Sequence, residues 1–139
     1  MNYKIIAKYI KDLNFKIPNS KTFFLISKNI SNYKINIDIK SDQFKNNILE
    51  IKTTLSLNPK VPDSEMIETK IIYATLIEID GDLSDKKSLE EIILIKVPNE
   101  IYSEIRSIFI FLFNKSGFKD IKIDEKIDFR KLYEQKKLQ

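Results

Sequence analysis

The chain has 139 residues, 22 lysines against two arginines, a net charge of +4, and neither cysteine nor histidine. That length suits a single domain over residues 1–139, large enough to bury about two-thirds of its unfolded surface. The missing residue types exclude disulfides, Cys/His zinc sites, thiol nucleophiles and every histidine-based triad.

The N-terminal stretch alternates. Tyr3, Ile5, Ala7, Tyr9, Leu13 and Phe15 fall on one face and Lys4, Lys8, Asp12 and Asn14 on the other, while Lys11 and the pair Ile6/Ile10 break the pattern. This predicts a long half-buried strand, ended by Pro18. Lys4, Lys8 and Lys11 also interrupt any signal-peptide core. Residues 19–32 read as a connection, unusually apolar for a loop at Phe23, Phe24, Leu25 and Ile26. Strands follow at 33–40 (Tyr33, Ile35, Ile37 and Ile39 inward) and 48–57 (Leu49, Ile51, Thr53, Leu55 and Leu57 inward). Asn58–Glu65, with two prolines, reads as a hairpin turn, and 66–79 as the fourth strand.

After Gly81 the period changes. Ser84 or Asp85 is placed to cap a short helix running to Lys96. The stretch Val97–Phe118 then carries matched helix signals, with Pro98 at its entry and Gly117 at its exit. Ile101, Ile105, Ile108 and Leu112 make one apolar stripe, and Tyr102, Phe109 and Phe113 a second. A surface helix has one such stripe, so this helix is expected to be covered on more than one side. A second subunit would do this, with Tyr102, Ile105, Phe109 and Leu112 at the interface; a central place in a monomer core is the other reading. Asp128 is placed to cap a last helix with Phe129, Leu132 and Tyr133 on its apolar side. Four strands followed by helices give an α+β fold: a four-stranded antiparallel sheet, a long apolar helix and a C-terminal helix.

Chemistry is nearly absent. Two glycines leave no room for a GxGxxG, a P-loop or a nucleophile elbow, and the carboxylates occur as solvated runs. We expect no enzyme, cofactor or metal. Lysine, isoleucine and asparagine together make 59 residues, the set that AT-rich codons encode. The basic balance is therefore read as codon usage rather than as a nucleic-acid footprint, which would cluster the charge with aromatics between. The longest apolar run, Ile108–Phe113, is far too short to span a bilayer, so a cytoplasmic protein without stable membrane insertion is expected.

Several local strings, in order, resemble the SecB family of export chaperones. Tyr9-Ile10-Lys11-Asp12-Leu13-Asn14-Phe15 with Pro18-Asn19 stands where the family writes roughly Y-x-K-D-hydrophobic-S-F-E-x-P-N. Pro98-Asn99 with Arg106 eight residues after Pro98, Gly117-Phe118, and Ile127-Asp128-Phe129 with Leu132-Tyr133 follow at family positions. The chain departs in having Ala74-Thr75 for a glycine pair, Ser103 for a helix proline, and no acidic C-terminal tail.

The resemblance implies an ATP-independent holdase. It would bind unfolded preproteins in apolar grooves and deliver them to SecA, as a homotetramer built as a dimer of dimers. A SecB-like chaperone dedicated to one client, such as an antitoxin, and a nucleic-acid-binding module remain the alternatives. Phe23, Phe24 and Ile26, with Phe118 and Tyr133, are the candidate client lining, unless the phenylalanines only pin their loop to the core. Phe109→Lys or Phe109→Asp is expected to split the tetramer into dimers. The family's SecA-facing positions fall on Asp12, Lys16, Glu68 and Lys70. The outward face counted from alternation holds seven lysines (4, 8, 16, 34, 40, 52, 70) against four carboxylates (12, 38, 50, 68). On that count SecA binding is expected to be weakened or co-adapted.

Overall fold

The computed structural model describes residues 1–29, 33–59, 67–118 and 121–137. Four strands, β1 (Asn2–Lys16), β2 (Tyr33–Lys45), β3 (Ile48–Pro59) and β4 (Glu68–Asp80), form one antiparallel sheet in the order β1-β4-β3-β2. One face is covered by helices: α1 (Ser20–Asn29), α2 (Lys86–Glu91), α3 (Val97–Lys115) and α4 (Phe129–Lys137). The expected hairpin turn lies, beyond Pro59, outside the described residues.

The central strands follow their alternation. Thr69, Ile71, Tyr73, Thr75, Ile77 and Ile79 of β4, with Ile67 just before it, and Leu49, Ile51, Thr53, Leu55 and Leu57 of β3, are buried on the covered face. β2 leaves its bulged Phe44 exposed near the tip of the β2–β3 hairpin. Asn46 turns that hairpin at φ 49°, a conformation that asparagine tolerates better than most residues.

Edge strand β1 departs from the sequence reading. Its pairing with β4 slips between Ile5 and Ala7 and again between Ile10 and Asp12. Each bulge inserts one residue, Ile6 and then Lys11, and turns the side chains over. Lys8 therefore pairs with buried Thr75 and points to the covered face, whereas Ala7 and Tyr9, expected inward, pair with Leu76 and Ala74 and point outward. The residues that broke the alternation mark where the strand bulges.

The connection after Pro18 is a helix, not a loop. Asn19 Oδ1 accepts the Thr22 N–H at 2.8 Å, an N-cap, and Thr22 and Ile26 are buried along one side. Asp85 caps α2, accepting the Ser88 N–H and the Ser88 hydroxyl. Asp128 caps α4 through the Lys131 N–H at 3.0 Å, as expected.

Pro98 does not open a separate helix. The backbone is helical from Lys86 to Lys115, through a π turn at Ile92–Lys96 in which the Val97 N–H reaches Ile92. Proline offers no N–H to the carbonyl one turn back and collides with it; the wider turn lets the rod continue. At the other end Gly117, at φ 95°, closes α3, and the Phe118 N–H returns to the Phe113 carbonyl at 3.0 Å. That is the long bond of a Schellman motif, and the two phenylalanine rings lie 5.4 Å apart.

The interface assignment on α3 needs correcting. Tyr102, Ile105 and Phe109 are buried within the chain's own fold. At 5% exposure or less these side chains have almost no surface left to offer a second subunit. Of the four residues Leu112 alone keeps partial exposure, and the accessible apolar side of α3 is Ile108, Phe111 and Leu112, with Phe111 58% exposed.

Candidate functional site

Strand β2 pairs only with β3, so its other edge is open among the described residues. Its covered-face residues Ile35, Ile37 and Ile39 are only half-buried. Residues 121–127 run opposite them, pinned to α3 by the Tyr102 hydroxyl, which donates to the Asp124 carbonyl at 2.7 Å, and by Arg106 Nε, which donates to the Ile123 carbonyl at 3.1 Å. Burial raises the Tyr102 phenol above its ordinary value, so the hydroxyl keeps its donating proton.

A concave strip lies between these walls. A cavity of about 520 Å³ is lined by Ile35, Ile37, Tyr102, Ile123, Ile127 and Leu132, with Lys34, Asn36, Lys122 and Asp124 at its rim. A second, of about 260 Å³, is lined by Ile37, Ile39, Leu94, Phe129, Leu132, Tyr133 and Gln135. They share Ile37 and Leu132 and so form one groove along β2. From Lys34 to Ile39 a strand advances about 17 Å, and an extended peptide laid alongside would present every second side chain to the apolar floor.

The candidate lining residues separate. Phe23, Ile26 and Phe118 belong to the core at the C-terminal end of α3, where the Phe23 and Phe118 rings lie 4.9 Å apart. Phe24 projects from α1 with Lys28 Nζ 4.1 Å from its ring centre. Tyr133 alone lines the groove; it is largely buried and its hydroxyl donates to Glu90 at 2.7 Å. The expectation that these five share one surface is therefore wrong. Ile35, Ile37, Ile39, Leu94 and Leu132 were missed as lining. The usable signal was apolar alternation on β2, whose place at an edge no single strand reveals.

The opposite, open face of the sheet is polar. Asp12, Lys16, Glu68 and Lys70 all point to it, as expected: Lys16 pairs with Glu68, and Asn14 with Lys70 separates them from Asp12. Lys11 donates to Glu50 at 2.7 Å and Tyr9 also donates to Glu50, and these bonds hold the Glu50 carboxyl below its ordinary range. Lys52 pairs with Asp42 at 2.8 Å. The register corrects the charge count: Lys8 leaves this face, Lys11 and Lys45 join it, and so do Asp42, Glu78 and Asp80. Eight lysines then face seven carboxylates, and the face is nearly neutral.

Residues 1–139 match the family described as preprotein translocase subunit SecB. The chain belongs to the SecB family. A relative named for SecB in Pelagibacter ubique (strain HTCC1062) is 41% identical over 135 residues, covering 97% of this chain and 96% of that one. The protein-export protein SecB of Burkholderia lata is 26% identical over 134 residues, covering 96% and 81%. Among solved structures, a Mycobacterium tuberculosis SecB-like chaperone in complex with a ChAD peptide from the HigA1 antitoxin superposes with a TM-score of 0.64. It is 10% identical, with 90% of this chain and 88% of that one covered. The protein is a protein-export chaperone of α+β fold, and no described helix is long and apolar enough to cross a membrane.

Proposed function

We propose that this family member is an ATP-independent holdase that keeps preproteins non-native in the cytoplasm and passes them to SecA. The groove along β2 carries the reading. It offers half-buried isoleucines at alternate positions and, among the described residues, an unpaired strand edge, which suits retention of extended apolar segments of varied sequence by many weak contacts. The open sheet face around Asp12, Lys16, Glu68 and Lys70 is the surface proposed for SecA. A tetramer, assembled as a dimer of dimers, is supported by two further surfaces left uncovered in one chain. These are the Ile108–Leu112 side of α3 and the edge of β1, where Ile6, Ile10 and Leu13 are exposed. The named relatives favour export over a single dedicated client, since the antitoxin-bound neighbour, at its low identity, shares the fold alone.

The test is suppression of aggregation of a denatured preprotein. Leu132 is 41% exposed and lines both cavities, so Leu132→Asp should leave thermal stability within about 0.5 kcal/mol and reduce client affinity by roughly tenfold, the cost of placing a carboxylate on an apolar floor. Unchanged protection by a folded Leu132→Asp variant would remove the groove from the mechanism.

A further inference from the structure

Between Asp12 and Asp38 the chain has no acidic residue, and between Glu104 and Asp120 again none. The fold brings parts of these two acid-free stretches together. Helix α1 packs through Phe23 on Phe118 and against Gly117 at the C-terminal end of α3, where Lys115 stands.

On α1 itself the faces divide. Thr22 and Ile26 are buried, and Lys21, Phe24 and Lys28, at helical spacings of three and four, are exposed on the opposite side. Phe24 is 57% exposed and stands between the two lysines on that stripe.

We propose that α1 is an anchor for an anionic lipid surface, with the Phe24 ring entering the acyl boundary and Lys21 and Lys28, supported by Lys115, on the headgroup phosphates. Lysine flanking an aromatic on one exposed helix stripe is the chemistry of an interfacial helix, and anionic headgroups draw basic residues close to the surface. Long lysine stems let the charge stay at phosphate level while the helix approaches. Single-stranded nucleic acid fits less well: bases stack on free aromatic faces, and Lys28 lies over the face of Phe24. The attachment is peripheral and reversible, and it uses neither the groove nor the open sheet face, so a client could remain bound.

Sedimentation with vesicles tests this. The whole protein should pellet with vesicles of equal parts phosphatidylcholine and phosphatidylglycerol at about 0.05 M salt, stay in solution with pure phosphatidylcholine, and be released at about 0.5 M salt. Lys21→Glu with Lys28→Glu should weaken binding at least about tenfold, and Phe24→Ser several-fold with the salt dependence kept. Lys40→Glu with Lys45→Glu makes the same change in net charge on the open sheet face and should leave at least half of the binding. Failure to pellet, equal binding to neutral vesicles, or equal loss from both double variants overturns the proposal. So does tighter binding to an oligothymidine through the same α1 residues.

Discussion

At residue scale Glu104 joins one helix to two strands. It accepts from Lys8 at 2.6 Å and from the Tyr73 hydroxyl at 2.7 Å, while one turn earlier Glu100 accepts from the Tyr3 hydroxyl at 2.7 Å. These bonds tie α3 to β1 and β4 beside the apolar core. The Lys8 and Tyr73 bonds hold the Glu104 carboxyl below the ordinary 4.5. A lowered folded value contributes stability that is present above about 4.5 and is lost as pH falls through the lower, folded value. Lys8 and Glu104 both remain more than a third exposed, so screening holds the pair to about 0.5 kcal/mol. Glu104→Gln should flatten the acid limb of a melting-temperature profile by that amount; an unchanged limb would show that the pair contributes nothing. Tyr73 has the opposite sign: burial, then the Glu104 bond, pushes its phenol up to about 12. Its contribution is intact below 10 and lost as pH rises through 12. None of these partners was legible in sequence, because Lys8 reaches Glu104 only after a bulge has turned it inward.

At the scale of elements, α3 shows what periodicity can and cannot settle. Two apolar stripes announced a helix covered on two sides, and that much was readable from spacing alone. Which stripe met the chain's own core depended on the sheet and on α4, and the core took Tyr102, Ile105 and Phe109. Phe109→Asp should therefore unfold the protein, because a bare carboxylate in a fully buried site exceeds the stability of a small domain. Phe111→Asp is the variant that should divide an assembly: circular dichroism unchanged, mass by light scattering halved. A wild-type chain that scatters as a monomer at micromolar concentration would sink the oligomer proposal. The overlooked α1 had its own signal in Pro18-Asn19 ahead of Thr22 and Ile26. It was hidden because a ten-residue helix buries only a narrow side. Capping chemistry fared better, since Asp85, Asp128 and Gly117 act through neighbours only a few residues away in the chain.

At the scale of the whole molecule the charge argument changes. Alternation assigned seven lysines and four carboxylates to the open sheet face; the register gives eight and seven. The surplus of positive charge moves to the end where α1 meets α3. A near-neutral face neither repels nor attracts strongly, and its charges steer encounter more than they set affinity. SecA binding should therefore vary little between about 0.05 and 0.3 M salt. Lys16→Glu with Lys70→Glu should shift affinity by less than about threefold. A salt dependence of tenfold or more over that range would mean that a charged part of the molecule outside this face carries the contact.

The paired bulges of β1 behave like two compensating frameshifts. Each advances the chain by one residue against its partner strand and inverts which parity faces the core, so the second restores what the first reversed. Tyr3, Ile5 and Phe15 consequently share the covered face with Lys8, Ile10 and Leu13. Deleting Ile6 alone leaves Ile5 opposite Ile77 and Ala7 opposite Leu76, and deleting Lys11 alone leaves Ile10 opposite Tyr73 and Asp12 opposite Ile72, so each deletion removes a kink and turns no side chain over. Deleting a paired residue between them, such as Tyr9, cannot be absorbed in this way unless Lys8 turns away from Glu104 or the register slips. We expect the costs of the Ile6 and Lys11 deletions to add to within about 0.5 kcal/mol in chemical denaturation, because the bulges lie about 17 Å apart along the strand, and the Tyr9 deletion to cost more than either. A double deletion that departs from the sum by more than about 1 kcal/mol would mean that the two bulges share strain.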